Sequence, residues 1–436
     1  MCRTVMDNRQ EHDLKGTSVM HENNNIEERV ILVGVSEQDG DDTEDSLAEL
    51  AELVRTAGAA AVGTVIQKLE RRHPGTYVGT GKVQEIRELL IETDATGIVC
   101  DDELTPAQMR NLTDLLDTKV MDRTLVILDI FAGRASTSEG KIQVELAQLR
   151  YEMTRLTGYG RSMSRLGGGI GTRGPGEKKL EMDRRLITNR ISQLKRELTE
   201  VIQHREVTRS RRTRANQPVA AIVGYTNAGK STLLNTLTDA DVLEMDALFA
   251  TLDPTTRLLK LSGKQEILLT DTVGFIRKLP HHLIDAFRST PEEAKYADYI
   301  IHVVDASNPQ MEKQMYIVYE TLRGLGVEQK PILTLFNKQD LIPEPEALHD
   351  ARADYTLRIS AKTGEGLEKV KQTLETMLRE NKIYMERLIP YAETGILAKI
   401  RAAGELVTED YRADGIFIQA YVPRALYPLA AFGQTD

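Results

Sequence analysis

The sequence contains no tryptophan, and aromatic residues make up only 5% of its 436 positions. Proteins that bind single-stranded nucleic acid over a broad surface stack the bases on rows of aromatic side chains, so this composition argues against such a platform. Hydrophobic residues still account for 41% of the chain. That fraction is enough to form sizeable cores in roughly three domains of ~150 residues each.

Cysteine is nearly absent, because the chain has only Cys2 and Cys100, which lie far apart. They offer no metal-ligand spacing and are typical of a protein kept in a reducing compartment. Long apolar runs are also missing, since none reaches the ~18 residues that a membrane-spanning helix needs. The N-terminus has no apolar segment of the kind found in signal peptides. We therefore expect a cytoplasmic protein without membrane insertion.

Acidic and basic residues are distributed unevenly. The formal net charge of −10 by itself argues against a nucleic-acid partner. Between Arg155 and Arg214, however, there are 16 lysines and arginines and only 6 acidic residues, so this segment carries +10 and the remainder −20. A localised basic segment in an acidic protein indicates contact with a polyanion. A solvated helix face is the alternative interpretation.

One segment carries a complete phosphate-binding pattern. Residues 224–231 read Gly-Tyr-Thr-Asn-Ala-Gly-Lys-Ser and fit G-x-x-x-x-G-K-[ST] at every fixed position, between a strand pattern and a helix pattern. We expect the loop N–H groups to surround the phosphates, Lys230 to reach the β- and γ-phosphates, and the Ser231 hydroxyl to ligate Mg²⁺. The predicted nucleotide-binding positions here are Gly224, Tyr225, Thr226, Asn227, Ala228, Gly229, Lys230 and Ser231.

Three later elements, each preceded by a strand pattern, identify the base as guanine. In residues 271–274 the Asp is expected to contact Mg²⁺ through water, and the Gly N–H to sense the γ-phosphate. In residues 337–340 the last carboxylate accepts from guanine N1–H and N2–H₂, groups that adenine does not offer in that form. Residues 360–362 supply backbone N–H groups for guanine O6. The GTP-binding residues predicted from these elements are Asp271, Thr272, Val273, Gly274, Asn337, Lys338, Gln339, Asp340, Ser360, Ala361 and Lys362.

A second protein ligand for Mg²⁺ should be a threonine between residues 232 and 270. Thr251, Thr255 and Thr256 are the candidates in the stretch that begins at Phe249. Each could equally be an ordinary turn hydroxyl, so the residues alone leave this choice open.

Strand and helix patterns predict a multidomain α/β fold. The expected units are a disordered extension (1–26), an N-terminal parallel α/β domain (27–135), an antiparallel helical hairpin (136–210), a Ras-like P-loop GTPase domain (217–380) and a small C-terminal α+β domain (381–436).

Two local patterns refine these units. Residues 79–82 (Gly-Thr-Gly-Lys) resemble a phosphate loop only superficially, because the earlier glycine and the following hydroxyl are missing. We predict a turn that starts a helix, and nearby basic residues leave a phosphate contact open. In the C-terminal domain the predicted helix runs from Thr394 to Leu406.

The hairpin prediction rests on two heptad seams, at 142–156 and 187–201, whose apolar residues step alternately by four and three positions. Between them, residues 157–177 contain eight glycines, three arginines and one proline, which cannot build a core of their own. A stiff arm with such a tip suits RNA contact, and a plain mobile loop is the alternative. Residues 209–218 are interpreted as a basic linker. The candidate RNA contacts are Arg161, Arg165, Arg173, Lys178 and Lys179.

The phosphate loop, residues 248–257, residues 271–277 and the Gly-rich hairpin together resemble the HflX family of translation-associated GTPases, over about residues 28 to 436. The Thr-Arg-Gly-Pro-Gly-Glu stretch at 172–177 is the most specific part of the resemblance. It implies a cytoplasmic, Mg²⁺-dependent GTPase that binds the large ribosomal subunit and ribosomal RNA as a monomer. The hairpin tip would then approach the peptidyl-transferase region, and binding would split stalled ribosomes or serve ribosome biogenesis.

The resemblance also selects the switch threonine. Thr251 matches the family position, so Ser231 and Thr251 are the implied metal ligands. The implied additions to the GTP site are Phe249, Ala250, Thr251, Leu252 and Asp253.

The position after the Asp-Thr-Val-Gly element holds Phe275, where Ras-like GTPases place a glutamine that orients the attacking water. A phenyl ring can neither donate nor accept a hydrogen bond, so the catalytic group is unknown. We hypothesise that basal hydrolysis is slow and that the ribosome stimulates it. The alternative function is a GTP-regulated scaffold whose hairpin binds a protein partner.

Overall fold

The computed structural model describes residues 28–37, 42–156, 175–214, 217–238, 248–249, 255–262, 265–278, 289–327, 329–342, 348–380, 382–423 and 426–432. The predicted N-terminal extension lies outside these residues. Within them, no helix combines the length and the apolar character needed to cross a membrane.

The N-terminal α/β domain is built on an all-parallel sheet with strand order β2-β1-β3-β4. Alternate residues of β1 enter two different hydrophobic clusters, one on each face of the sheet. A strand buried on both faces requires the continuous apolar run seen in the sequence. The elements are β1 Glu28–Ser36, α1 Thr43–Thr56, β2 Ala59–Lys68, α2 Thr80–Glu92, β3 Gly97–Cys100, α3 Pro106–Leu116, β4 Lys119–Asp122 and α4 Arg123–Arg134.

The turn predicted at residues 79–82 does start a helix. Gly79 is the residue before the first turn of α2, and its N–H donates to Gln67 at 2.7 Å. Lys82 points along the helix and pairs with Glu85 at 2.7 Å.

The helical hairpin consists of α5 Ser138–Leu156 and α6 Pro175–Arg214. Leu146 packs against Ile191 and Leu194, as the heptad spacing predicts. Ion pairs show the antiparallel order, because Arg190 lies 2.7 Å from Glu145 and Arg205 lies 2.5 Å from Glu139. The seam residues that flank this contact are Ile142, Leu149, Met153, Ile187 and Leu198.

The predicted hairpin boundaries need correction at both ends of α6. The helix begins at Pro175, so residues 175–177 belong to it and not to the Gly-rich loop. Proline favours the first helical turn because its missing N–H is not needed there. Residues 209–214, interpreted as linker, continue the helix.

The GTPase domain has a six-stranded sheet with order β10-β9-β8-β5-β7-β6, in which only β6 runs antiparallel to its neighbour. In open sheets of this kind, ligands bind beyond the carboxyl ends of the parallel strands. The elements are β5 Val219–Gly224, α7 Lys230–Thr238, β6 Thr255–Lys260, β7 Glu266–Asp271, α8 Ser289–Tyr296, β8 Tyr299–Asp305, α9 Met311–Gly324, β9 Ile332–Asn337, β10 Tyr355–Arg358 and α10 Leu367–Glu380.

The C-terminal domain is an antiparallel sheet of order β11-β13-β12 packed against two helices. The predicted helix was too long, because it ends at Ala403 and Leu406 belongs to the next strand. Gly404 allows this sharp end, since an added Cβ would lie 2.8 Å from the Tyr421 carbonyl oxygen. The elements are β11 Lys382–Ile389, α11 Thr394–Ala403, β12 Glu405–Arg412, β13 Gly415–Pro423 and α12 Tyr427–Phe432.

Candidate functional site

The loop at residues 224–231 joins the end of β5 to the start of α7 and lies at the carboxyl edge of the sheet. Two glycines are needed for close approach. A Cβ added to Gly224 would lie 2.2 Å from the Val303 carbonyl oxygen. Gly229 has φ of +92°, and its added Cβ would lie 2.3 Å from Asn337 Nδ2. Only glycine fits these two places without strain.

Lys230 is folded back over the loop. Its ammonium is buried and donates to the Tyr225 carbonyl oxygen at 2.7 Å. Burial lowers the pKa of Lys230 to about 8, although the Asp271 carboxylate opposes that shift. A desolvated ammonium at the mouth of a helix suits an anionic ligand such as a phosphate.

Ser231 and Asp271 meet next to Lys230. The Ser231 hydroxyl donates to Asp271 Oδ2 at 2.8 Å, and Asp271 is fully buried at the end of β7. Thr272 turns away from them, because its hydroxyl donates to the Ile222 carbonyl oxygen at 2.8 Å. The hydroxyl and carboxylate oxygens are hard donors of the kind that Mg²⁺ prefers.

Gly274 lies directly against the phosphate loop. An added Cβ would be 2.8 Å from Thr226 Cα and 2.9 Å from Lys230 Nζ. Two backbone hydrogen bonds hold the next residue to the loop: Phe275 N–H donates to Gly224 O at 3.1 Å, and Thr226 N–H donates to Phe275 O at 2.8 Å.

The Phe275 ring is 6% exposed and belongs to a hydrophobic cluster with Ala294 and Val318. The side chain at the position of the Ras glutamine therefore faces a core. It brings no polar group toward the phosphates.

Asn337 ties the phosphate loop to the 360–362 loop. Its Nδ2 donates to the Ala228 carbonyl oxygen at 2.8 Å, and its Oδ1 accepts from Ala361 N–H at 2.8 Å. Asn337 is 3% exposed, so both contacts are shielded from water.

The other residues of the 337–340 element, which is predicted to bind the base, lie next to Asn337. Lys338 has φ of +64°, and its ammonium lies 2.7 Å from Asp305 Oδ2. Asp340 is exposed, with one carboxylate oxygen accepting from the Ser360 hydroxyl at 2.6 Å. Gln339 N–H donates to the Ile359 carbonyl oxygen at 3.2 Å. Lys362 is exposed beside them.

Several predicted residues are not brought to this edge. The Phe249 side chain is buried against Phe131 of the N-terminal domain, with ring centroids 4.7 Å apart. The Thr256 hydroxyl lies 3.1 Å from that of Thr270. Val273 packs against the same cluster as Phe249. The positions outside the described residues are Ala250, Thr251, Leu252, Asp253, Arg161, Arg165 and Arg173, together with the side chains of Lys178 and Lys179.

Acidic residues of the N-terminal domain also contact this region, which motif spacing did not reveal. Glu49 accepts a hydrogen bond from the Tyr225 hydroxyl. Arg123, 1% exposed, holds the other oxygen of Glu49 at 2.7 Å. One signal in the sequence was Tyr225 itself, because a tyrosine in a phosphate loop needs a partner for its hydroxyl if the side chain is buried.

Two basic residues after Gly274 form ion pairs with acidic residues of the N-terminal domain. Arg277 lies 3.1 Å from Asp42, and Lys278 pairs with Asp101 and lies 3.0 Å from Asp102. Burial raises the pKa of Asp101, but the charges of Arg123 and Lys278 outweigh burial, so the net pKa is lowered. The N-terminal domain therefore binds residues 277 and 278 through ion pairs.

Three features lie at one edge of this sheet: a phosphate loop that requires glycine at two positions, the Ser231–Asp271 pair, and the 337–340 element with Asn337 and Asp340. Together they define a P-loop GTPase. Three family models match the chain in order: "GTP-binding GTPase N-terminal" at residues 44–132, "GTP-binding GTPase Middle Region" at 134–212 and "50S ribosome-binding GTPase" at 219–338. The GTPase HflX of Lacrimispora saccharolytica is 65% identical over 92% of this chain and 95% of that protein. The chain therefore belongs to the HflX family of GTPases.

A second HflX relative agrees with this assignment, and one solved structure is also similar to the chain. The GTPase HflX of Caldanaerobacter subterraneus is 46% identical over 91% of each chain. A crystal structure of a GTP-binding protein from Sulfolobus solfataricus in complex with GDP is 26% identical, covers 80% of this chain and 98% of its own, and has a TM-score of 0.43.

Proposed function

We propose that this GTPase is Mg²⁺-dependent, binds the large ribosomal subunit in the cytoplasm in its GTP form, and splits stalled ribosomes. Convergence of the phosphate loop, the Ser231–Asp271 pair and Asn337 at one edge carries the nucleotide part of this proposal. In this proposal the motifs at residues 224–231, 271–274, 337–340 and 360–362 bind the nucleotide as expected, although the side chains of Thr272 and Val273 face away from it.

Mg²⁺ fits the donors available at the site. Ser231 and Asp271 present a hydroxyl and a carboxylate oxygen within 2.8 Å of each other. In this proposal Ser231 ligates the ion, Asp271 orients its water, and Thr251 completes the set. The ion neutralises charge on the β- and γ-phosphates when it is bound.

The helical arm supports a ribosomal RNA partner. The segment 155–214 is strongly basic in an otherwise acidic chain. At its base, Arg205 joins Glu139 of α5 and lies 3.7 Å from Glu293 of α8. In the part of the chain that the structure describes, α8 is the first helix after Gly274, and in this proposal its contact with Arg205 connects the arm to the γ-phosphate side of the domain. The family model described as a 50S ribosome-binding GTPase adds to this support.

Sedimentation tests the proposal directly. We expect the protein to co-migrate with large subunits in a sucrose gradient when a non-hydrolysable GTP analogue is present, and to convert whole ribosomes into subunits. GDP should abolish both effects. Free sedimentation of the protein with the analogue would refute ribosome binding, and intact ribosomes despite co-migration would refute splitting.

A protein-binding scaffold is the second candidate. Met182 and Leu186 are 62% and 61% exposed one helical turn apart on α6, a pair suited to a protein partner. Salt separates the two functions. Contact with RNA phosphates should lower log K by roughly 0.7–0.9 per neutralised phosphate for each tenfold rise in salt, whereas an apolar helix contact should show little slope.

A further inference from the structure

The Tyr225 side chain leaves the phosphate loop and enters the N-terminal domain. Tyr225 is 4% exposed, and its hydroxyl donates to Glu49. The same oxygen accepts from the backbone N–H of Arg277 at 2.9 Å. A phenol has one proton to donate, so donation to Glu49 leaves a lone pair for the Arg277 N–H.

Tyr225 also contacts the GTPase site at two points, through its carbonyl oxygen and through its hydroxyl. The Tyr225 carbonyl oxygen is the acceptor for the Lys230 ammonium at 2.7 Å. Arg277 follows Gly274 by three residues, in the segment that begins at the predicted γ-phosphate contact. Tyr225 therefore joins Lys230 to the segment after Gly274. Its hydroxyl adds to the two main-chain hydrogen bonds that Phe275 makes with the phosphate loop.

Glu49 is itself held rigidly. Its other oxygen accepts from Arg123 NH1 at 2.7 Å, and Arg123 NH2 donates to the Ser46 carbonyl oxygen and Asp101 Oδ1 at 2.8 Å each. Both oxygens of Glu49 must accept, one from a guanidinium and one from a phenol. A carboxylate meets this demand and a carboxamide does not, because one of its two groups is a donor.

We propose that Glu49 is a positioning residue for GTP hydrolysis. It orients the Tyr225 hydroxyl, which in turn fixes the segment after Gly274 against the phosphate loop. A side chain 176 residues away in sequence thus contributes to the geometry of the nucleotide site. This inference rests on the proposed assignment of residues 224–231 and 271–274 to the phosphates.

The test uses the full chain and three variants: Tyr225→Phe, Glu49→Gln and the double variant. In Glu49→Gln the amide oxygen stays with Arg123, so the amide NH₂ turns toward Tyr225 and occupies the lone pair needed by Arg277. Single-turnover hydrolysis of bound GTP and affinity for GDP are measured for each.

We expect each single variant to hydrolyse GTP about five- to tenfold more slowly, as the loss of one buried hydrogen bond implies. Affinity for GDP should change by less than about twofold, because the phosphate-loop N–H groups are untouched. The double variant should be no slower than the slower single variant, because the two side chains act as one unit.

Tyr151→Phe is a matched control. Tyr151 of α5 is 5% exposed, and its hydroxyl donates at 2.8 Å to Asp122 of the N-terminal domain. The same chemical change there should leave hydrolysis at the wild-type rate.

Unchanged hydrolysis in Tyr225→Phe, or additive losses in the double variant, would overturn the proposal. Equal slowing in Tyr151→Phe would also overturn it, since the effect would then come from stability of the N-terminal domain. A wrong nucleotide assignment looks different, because the wild-type protein would fail to bind GDP and Lys230→Ala would change nothing.

Discussion

At the scale of single residues, Asn337 uses both polar groups of its carboxamide to join two loops. Asp340 is exposed and is held at one oxygen by Ser360, and we propose that it selects the base. A carboxylate accepts from guanine N1–H and N2–H₂, and a site with such an acceptor discriminates strongly against other bases.

Asp340→Asn should move the base preference from guanine toward xanthine, because the carboxamide can donate to the xanthine O2. Competition between GDP and XDP for the purified protein measures this, and we expect a reversal of preference. Thr363→Ala is the control. Thr363 contacts Ser360 through its backbone N–H, which this substitution leaves in place. Undiminished selectivity for GDP in Asp340→Asn would show that another residue selects the base.

The lowered pKa of Lys230 predicts that nucleotide binding depends on pH. Its pKa of about 8 in the nucleotide-free protein means that the ammonium loses its proton as the pH rises through 8. Bound phosphates favour the charged form, so binding above that pH takes up a proton, while binding well below it does not. Calorimetry of GDP binding in buffers of different ionisation enthalpy should give uptake of about 0.1 proton at pH 7 and about 0.75 at pH 8.5. No uptake at pH 8.5 would contradict the lowered pKa.

The residues of the phosphate loop and of the three later motifs could be found from sequence because each motif is a short run that follows a strand. The motifs come together because the parallel strands that they follow all end at the same edge of the sheet. The Glu49–Tyr225 bond could not be found in this way, because it joins residues 176 positions apart and depends on how two domains pack. The Phe275 ring illustrates the same limit: its chemistry was readable, but its burial among residues of α8 and α9 was not.

At the scale of elements, the two hairpin helices were predictable because heptad spacing continues over several turns and specifies one seam. The ends of α6 were not predictable, since its heptad seam covers only residues 187–201 and the helix continues beyond the seam in both directions. The short helix α12, Tyr427–Phe432, was missed because six residues are too few for a period to emerge.

Leu194 lies at the centre of the hairpin seam and is fully buried. Leu194→Ala should lower the free energy of opening of the arm by about 2–5 kcal/mol, because a cavity forms and apolar contacts are lost. Hydrogen exchange of the α5 and α6 amides measures this opening. Met182→Ala, on the same helix but 62% exposed, should change it by less than about 0.5 kcal/mol. Equal effects in both variants would mean that Leu194 does not close the hairpin.

At the scale of the whole molecule, the N-terminal domain and the GTPase domain share one hydrophobic cluster. Phe249 and Ile276, which flank the nucleotide motifs, both contribute to it. The basic arm is attached to both domains through α5 and α6. The two domains and the arm are therefore packed together next to the nucleotide motifs.

Arg165→Ala with Arg173→Ala should weaken ribosome-stimulated hydrolysis and leave GDP affinity unchanged, because these arginines are proposed RNA contacts and belong to none of the nucleotide motifs. Single-turnover hydrolysis with and without large subunits measures the stimulation, which in other GTPases reaches ~10³–10⁵ when a missing group is supplied in trans. Lost GDP affinity in this variant would indicate that the arm is structural. Equal rates with and without subunits in the wild type would exclude stimulation altogether.

The position of Arg205 gives α6 a pivot. The helix has 40 residues, which is about 60 Å of rod, and Arg205 stands about 45 Å from its first turn. A rotation of one degree about that pivot displaces the far end by about 0.8 Å. Small adjustments of α8, to which Arg205 is joined through Glu293, would be magnified into ångström-scale travel at the arm's end. If the loss of the γ-phosphate reorients α8, this geometry would make the resulting displacement larger at the far end of the arm than at Arg205.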